Sequence, residues 1–294
     1  MFDSKKLIRC ETEEGYQMYI PQTFRGYKFI KTIGRGSTSV VALVQDISTH
    51  NYFSAKILSK ADIIENDLYY SIQKEIAIMS DLDHPNIIKF EESFEITNCI
   101  QDKYIVIIME YCENGDLFHY VTEHGFRSAS EKFRILKGFF ESIKYLHSRA
   151  ISHGDIKAEN ILLDSDLNPK LCDFGFSRTT VIADDDAKNG TLYYAAPELL
   201  TSGEFDTLKS DIWSIGIMVY CIFEKTFPYQ STNNKSIMKQ IKSGRLTIRA
   251  GINSKLKNFV KSCTQLKPED RPSISELMHH SYFRFNDNSK QNND

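Results

Sequence analysis

Long apolar runs, paired cysteines and a strong net charge are all absent from this sequence of 294 residues. The longest apolar run, IWSIGIMVYCIF at 212–223, is too short to span a bilayer, so we interpret it as a buried helix. The first residues, MFDSKKLIRCETEE, contain no apolar core, so no signal peptide is expected. The formal net charge of −3 indicates neither a nucleic acid nor a membrane surface as a partner.

The six cysteines stand apart, without a CxxC pair or the spacing of a disulfide framework. They are Cys10, Cys99, Cys112, Cys172, Cys221 and Cys263. Scattered cysteines of this kind are typical of free thiols in a reducing compartment. We therefore expect an intracellular protein in the cytoplasm, with a nuclear location left open.

The patterns that are present divide the chain into a strand-rich part and a helical part. Runs such as YKFIKTIG, SVVALVQD and KYIVIIME are strand-like, with a helical pattern at 66–80 between them, and helical spacing dominates after Gly115. This order predicts the α+β class. The expected division is an unassigned extension at 1–26, a β-rich region at 27–109, a connector at 110–116, a helical region at 117–283 and a polar tail at 284–294.

The stretch IGRGSTSVV at 33–41 lies between two predicted strands. Glycines at 34 and 36 permit a turn whose backbone can approach phosphates closely. Alone, such a pair is more often a simple hairpin turn. A dinucleotide-binding crossover would require a helix directly after the glycines, and a strand is predicted there instead.

Lys56 and Glu75 form a second candidate pair. Lys56 lies in the strand-like stretch NYFSAKIL, and Glu75 lies between Ile72 and Ile76 on the apolar face of its helix. A carboxylate that leans into a core needs a cationic partner, because an unpaired buried charge is costly. The alternative is an exposed lysine and a glutamate at the edge of that face.

The stretch HGDIKAEN places Asp155, Lys157 and Asn160 within six residues, and LCDFGF follows with Asp173. Asp and Asn oxygens are hard donors that suit Mg²⁺, which binds through one or two such groups plus substrate phosphates. A separate Asp can accept or orient the proton of an attacking hydroxyl. The alternative is a polar loop without chemistry.

In sequence order, GRGSTSVV, SAK, the helix with Glu75, HGDIKAEN, DFG and AAPE resemble the protein kinase signature set. SDIWSIG at 210–216 and PEDRPS at 268–273 look like later motifs of that family, so the resemblance covers 27–283. It implies a bilobal protein kinase fold, with a small β-rich N-lobe and a larger helical C-lobe. The stretches MEYCENGDLFHYV and MHHSYF look most like the calcium/calmodulin-dependent and AMP-activated kinase-like group. No basic amphipathic helix follows Phe283, so calmodulin control within this chain is not expected.

The resemblance implies ATP, with its phosphates covered by the glycine-rich loop at 33–41 and held by Lys56, which Glu75 orients. The loop residues carried over are Ile33, Gly34, Arg35, Gly36, Ser37, Thr38, Ser39 and Val41. The positions carried over for adenosine are Met109 as gatekeeper, the backbone of Glu110 and Cys112, Asp116 at the ribose, Leu162 beneath the base, and Ser54 and Cys172 at the pocket border.

The same resemblance implies two Mg²⁺ ions, held by Asp173 and Asn160, with Mn²⁺ as a possible substitute. Asp155 would orient the substrate hydroxyl and Lys157 would stabilise the transferred phosphoryl group. Lys157 and Thr191 follow the serine/threonine pattern, in which Thr191 bridges the Asp and the Lys.

Protein substrates with Ser or Thr acceptors are therefore expected. Glu159 occupies a position that receives an upstream Arg in basophilic members, so we expect a preference for basic residues before the acceptor.

Gly154 departs from the family's HRD triplet, where an Arg pairs with a phosphate on the activation loop. Here that loop spans 176–191 and carries Asp184, Asp185 and Asp186. A phosphate beside three carboxylates would be repelled, so we expect a kinase that does not depend on activation-loop phosphorylation. A further hypothesis pairs one of these Asp residues with Arg178.

Two other functions stay open at this point. A pseudokinase scaffold on the same fold would be favoured by loss of Lys56, Asp155, Asn160 or Asp173, and all four are present. A small-molecule phosphotransferase is disfavoured by AAPE, in which Arg271 is available to pair with Glu198. The stretch ITNCIQDK at 96–103 lengthens a predicted hairpin, which we interpret as neutral or as a partner contact.

Overall fold

A computed structural model describes residues 6–180, 182–183, 191–231 and 233–283. The chain forms two compact units, the first ending at Glu113 and the second beginning at Asn114. The first is built on β-sheet and the second on helices, so the predicted α+β class is confirmed.

The first unit is built around a six-stranded antiparallel sheet with the strand order β3-β4-β5-β6-β8-β7. Its strands are β3 (Thr23–Phe24), β4 (Tyr27–Arg35), β5 (Ser39–Asp46), β6 (Tyr52–Ser59), β7 (Phe90–Thr97) and β8 (Lys103–Glu110). The central strands are rich in β-branched residues, and β8 has five consecutive buried residues from Tyr104 to Ile108. Such a run is expected where both faces of a strand are covered.

Two helices, α1 (Lys60–Glu65) and α2 (Tyr69–Asp81), follow β6. Helix α2 begins three residues later than the predicted 66–80 because Asp67 has a left-handed φ of 55° and Leu68 is the N-cap. Ile72 packs into a cluster of buried residues from β6, α1 and β8, so the apolar face of α2 covers one side of the sheet.

A two-stranded hairpin, β1 (Leu7–Glu11) and β2 (Gln17–Pro21), occupies the extension that the sequence left unassigned. Cys10, Met18 and Ile20 are buried in one apolar cluster with residues of β4, β5, β6 and β8. The hairpin is therefore an integral part of the first unit.

The second unit is largely helical. Its helices are α3 (Leu117–Glu123), α4 (Ala129–Ser148), α5 (Thr207–Glu224), α6 (Asn234–Lys242), α7 (Ser254–Cys263) and α8 (Ile274–Met278). Two short antiparallel pairs accompany them, β9 (Ile161–Leu163) with β10 (Pro169–Leu171), and β11 (Ile182–Ala183) with β12 (Phe205–Asp206). Helix α5 carries the longest apolar run and is buried along most of its length. Among the described helices, none has the length and hydropathy that a membrane span needs.

Candidate active site

The glycine-rich loop connects β4 to β5 in the first unit. The N–H of Gly36 donates to the backbone oxygen of Ser39 across 2.9 Å, which closes the turn. A Cβ on Gly36 would lie 2.8 Å from the Ser39 hydroxyl, so a larger residue at position 36 would require the Ser39 side chain to move. A strand follows the loop, as the sequence predicts, so the helix required for a dinucleotide-binding crossover is not there.

Lys56 on β6 and Glu75 on α2 are in direct contact. The ammonium nitrogen of Lys56 lies 2.6 Å from Glu75 Oε1, and the Glu75 side chain is 3% exposed. A carboxylate that is almost completely removed from solvent is stabilised only by a charged or hydrogen-bonding partner. The pair fixes the lysine side chain against the sheet.

Ser54 lies two residues before Lys56, paired in register with Met109 on β8. Its hydroxyl donates to the backbone oxygen of Glu110 across 2.9 Å. The backbone oxygen of Met109 is farther away, at 3.4 Å. Ser54 therefore contacts the backbone carbonyl of Glu110, which the resemblance assigns to the adenine. Cys112, two residues further along the chain, is buried.

In the second unit, Asp155 is the centre of a hydrogen-bonded network. Lys157 Nζ lies 2.6 Å from Asp155 Oδ2, and the N–H and hydroxyl of Thr191 donate to Oδ1 across 3.0 and 2.9 Å. Asn160 Nδ2 donates to the backbone oxygen and to Oδ2 of Asp155 across 2.8 and 3.1 Å. Lys157 also donates to the Thr191 hydroxyl across 3.1 Å, so that hydroxyl bridges the two charged groups.

This network keeps Asp155 ionised although its residue is only 4% exposed. Burial alone would raise the pKa of the carboxyl group. The hydrogen bond and charge of Lys157, together with the Thr191 hydroxyl, outweigh burial and hold the pKa below its ordinary value. A buried carboxylate that stays charged is suited to accept a hydrogen bond from a hydroxyl group.

Asp211, near the start of α5, accepts hydrogen bonds from the backbone of the segment before Asp155. Its carboxylate accepts from the N–H of His153 at 2.8 Å and of Gly154 at 3.0 Å, and it lies 3.0 Å from His147 Nε2. Sequence reasoning gave Asp211 no role. A signal that could have found it is its place in SDIWSIG, directly before a long apolar run, where an unpartnered carboxylate would be destabilising.

Gly154 occupies a position that only glycine adopts easily. Its φ is +81°, and a Cβ built on it would lie 2.5 Å from the backbone oxygen of Phe176. The absence of a side chain therefore permits close contact between this segment and the chain after Asp173. Ser177 Oγ adds a bond of 3.1 Å to the backbone oxygen of His153.

Neighbouring segments of the second unit carry the residues assigned to metal, Asn160 and Asp173, and three of those assigned to adenosine, Asp116, Leu162 and Cys172. Cys172 N–H donates to the backbone oxygen of Asn160 across 3.0 Å, which ties the segment before Asp173 to the Asn160 turn. Asp116 is the N-cap of α3, accepting from His119 N–H at 2.9 Å, and it forms an isolated bridge with Leu162. Its hydrogen bond to the His119 ring raises the pKa of that imidazole. The Asp116 carboxylate therefore has a capping role that the sequence did not predict.

Glu159 lies beside the network, partly buried, with the hydroxyl of Tyr194 3.4 Å from Oε2. Further along the chain, Arg271 is 1% exposed and forms a bidentate ion pair with Glu198. Its Nη1 lies 2.5 Å from Glu198 Oε1, and its Nη2 lies 2.7 Å from Oε2. This is the pairing that the sequence suggested. It fastens the segment after Thr191 to the helical part of the unit.

The acidic run Asp184–Asp186 lies outside the described residues, so its predicted contact with Arg178 stays a prediction. Among the described residues, no cluster of three or more His, Cys, Asp or Glu side chains that would hold a metal occurs. A magnesium site of the kind expected here needs no such cluster, because its remaining ligands are phosphate oxygens and water.

Comparison with known proteins agrees with this arrangement. The protein kinase domain model matches residues 27–283. A probable serine/threonine-protein kinase of Dictyostelium discoideum is 31% identical over 265 residues, covering 89% of this chain and 31% of that protein. An SNF1-related protein kinase catalytic subunit alpha of Arabidopsis thaliana is 32% identical over 260 residues, covering 87% of this chain and 51% of that protein. The chain therefore spans much less than the full length of these curated relatives. Since the domain match runs from 27 to 283, the chain belongs to the protein kinase family.

Proposed function

We propose that this chain is a serine/threonine protein kinase that transfers the γ-phosphoryl group of Mg-ATP to hydroxyl groups of protein substrates. The observation that carries the proposal is the Asp155 network, in which Lys157, Asn160 and Thr191 hold one buried and ionised carboxylate. Such an arrangement positions an acceptor for a hydroxyl proton with little reorganisation during the reaction.

In this mechanism Asp155 receives the hydrogen bond of the substrate hydroxyl and aligns its oxygen for attack. Lys157, held between Asp155 and the Thr191 hydroxyl, places a positive charge where the transferred phosphoryl group becomes more negative. Phosphoryl transfer requires little covalent chemistry from the protein, so positioning and charge account for most of the catalysis.

The family's requirement for a divalent metal fits the residues present. Asn160 commits its amide nitrogen to Asp155, so its amide oxygen would be the metal ligand, and Asp173 would supply a carboxylate. Both are hard oxygen donors of the kind that Mg²⁺ prefers. When bound, the metal neutralises charge on the phosphate oxygens. Two ions, and Mn²⁺ as a substitute, belong to the same proposal.

In the first unit, Lys56 would bind the α- and β-phosphates, with its position fixed by Glu75. The glycine-rich loop would cover the same phosphates with backbone N–H groups. The backbone of Glu110 and Cys112 would bind the adenine, with Ser54 competing for the Glu110 carbonyl.

We propose further that substrates carry basic residues before the acceptor. Glu159 supports this, since its carboxylate lies on the segment between Asp155 and Asn160 and has the Tyr194 hydroxyl as a neighbour. A positional peptide library tests the preference directly. Selection of acidic or proline-directed sequences would contradict it.

Independence from activation-loop phosphorylation is the third part of the proposal. The described beginning of that segment is joined to the Asp155 segment by paired backbone bonds between Ser152 and Arg178, at 2.9 and 3.0 Å. The described end is joined to it by Thr191, through two bonds to Asp155. These contacts use unmodified groups, and Gly154 provides no cation to receive a phosphate.

The experiment is transfer of phosphate from Mg-ATP to a peptide library by the wild type, Asp155→Asn and Lys56→Met. We expect Asp155→Asn to lower kcat by about 100- to 10,000-fold, the range of a positioned acid or base. Equal product with all three proteins would leave the pseudokinase scaffold as the explanation. A phosphorylated small molecule in place of a phosphopeptide would instead indicate the phosphotransferase, which the Arg271–Glu198 pair disfavours.

A further inference from the structure

The tip of the N-terminal hairpin is a compact turn formed by Glu13, Glu14 and Gly15. Thr12 N–H donates to the Tyr16 oxygen at 3.0 Å, and Gly15 N–H donates to the Thr12 oxygen at 3.2 Å. Gly15 has a φ of +87°. This arrangement is typical of a type I turn followed by a left-handed glycine. The Thr12 hydroxyl accepts from Tyr16 N–H at 3.1 Å, so the turn is closed by three hydrogen bonds.

The body of the hairpin is held firmly in the first unit. Met18 and Ile20 are fully buried in the sheet's apolar cluster. Between them, Tyr19 donates its N–H to the Tyr104 hydroxyl at 3.0 Å and accepts from Asn98 Nδ2 at 2.8 Å. Asn98 belongs to the lengthened β7–β8 connection, so that connection has a partner within its own unit.

The turn reaches the glycine-rich loop. Glu13 N–H donates to the backbone oxygen of Gly36 across 3.0 Å, while Gly36 N–H is already bonded to Ser39. Nearby, the Cys10 thiol lies 3.7 Å from the Thr32 hydroxyl on β4. The loop is thus closed by the hydrogen bond within its own turn, and it is also bonded to a hairpin whose strands are packed into the first unit.

We propose that the hairpin is a built-in brace that holds the glycine-rich loop in its phosphate-binding conformation and so raises the affinity for nucleotide. The proposal rests on the phosphate-binding role given to this loop above. A loop ordered in advance loses less conformational freedom on binding, so the same contacts give tighter binding. The Lys56–Glu75 pair is formed in the same unit as the braced loop, which fits a nucleotide-competent arrangement.

Glu13 is a positioning residue that acts through its backbone N–H, which suggests a specific pair of variants. Glu13→Pro removes the donor, and Pro is favoured at the second position of a type I turn. Glu13→Ala is the matched control, because it removes the same side chain and charge but keeps the N–H.

We expect Glu13→Pro to raise the Kd and KM for Mg-ATP about two- to tenfold, the worth of one hydrogen bond, with kcat unchanged. Glu13→Ala should match the wild type. Adenosine, which has no phosphates, should bind all three proteins equally. In the nucleotide-free protein, amide hydrogen exchange at residues 36–39 should be faster only in Glu13→Pro.

Equal Mg-ATP affinity and equal loop exchange in the two variants would overturn the brace. Equal losses of affinity for ATP and for adenosine in Glu13→Pro would also overturn it, because these would indicate general destabilisation of the protein. If the wild type bound no nucleotide, the proposed function would fail, and the exchange measurement would still decide whether the hairpin orders the loop. Should Glu13→Pro not fold, amide hydrogen exchange of the wild type decides: the brace predicts a protected Glu13 amide, because that N–H is bonded to Gly36, and exchange at the rate of an unprotected amide would overturn the proposal.

Discussion

Replacing Gly154 with alanine tests how the segment around Asp155 is built. The left-handed φ of +81° costs a non-glycine residue about 1–2 kcal/mol. The new Cβ would also lie 2.5 Å from the Phe176 backbone oxygen, and relieving such overpacking costs about 1–3 kcal/mol more. We therefore expect the free energy of unfolding to fall by about 2–5 kcal/mol, the sum of these two costs.

Gly125 supplies a matched control in the same unit. Its φ is +67°, and nothing lies within 4 Å of a Cβ built on it. Gly125→Ala should therefore show the cost of the left-handed backbone alone, about 1–2 kcal/mol.

The assay is urea unfolding followed by fluorescence of Trp213, the single tryptophan, which is fully buried in α5. Gly154→Ala should lose more stability than Gly125→Ala and should also lose catalytic activity, because the backbone next to Asp155 must shift. Equal losses in the two variants would refute the close contact with Phe176. Gly154→Arg should behave like Gly154→Ala and should not introduce a dependence on phosphorylation.

Three further outcomes follow from the site. Ser54→Ala frees the Glu110 carbonyl from a competing donor, so the KM for ATP should fall about two- to fivefold, as expected for one modest hydrogen bond; an increase in KM would contradict the competition. The pKa of Asp155 is lower in the folded state than in the unfolded state, where it is about 3.9. The ionised carboxylate therefore stabilises the fold above that pH, and this stabilisation is lost as the pH falls through the folded pKa. Since Asp155 stays ionised between about pH 5 and 8, the pH profile of kcat/KM should show no limb from this group in that range. A limb in that range that Asp155→Glu displaces would contradict the ionised network. Arg271→Leu leaves Glu198 without its ion pair and should cost about 3–5 kcal/mol in urea unfolding; a loss under about 1 kcal/mol would match a surface pair instead.

The residues that carry the chemistry were accessible from the sequence because they occur in short, ordered motifs. Lys56 and Glu75 illustrate this. Helical periodicity placed the Glu75 carboxylate on an apolar face, and a buried carboxylate is stable only with a cationic partner. The structure brings the two into contact. The buried run of α5 was similarly evident from its composition.

Other features depend on contacts between distant parts of the chain. Tyr19 meets the side chain of Tyr104 across 85 positions, and Gly154 meets Asp211 across 57 positions. Neither segment carries a local pattern that identifies its partner. Residues 1–26 could not be assigned from the sequence, and the bond from Glu13 to Gly36 arises only from how the hairpin packs on the sheet.

The central claim is a serine/threonine kinase that works without phosphate on its activation loop. Its most direct test is the rate of peptide phosphorylation by phosphatase-treated Thr179→Ala/Thr180→Ala protein made in bacteria, compared with untreated wild type. Thr179 and Thr180 are exposed, and exposed substitutions usually change a free energy by no more than about 0.5 kcal/mol, so we expect the two rates to agree within about threefold. Loss of most activity in the treated variant, with the wild type active, would contradict the account.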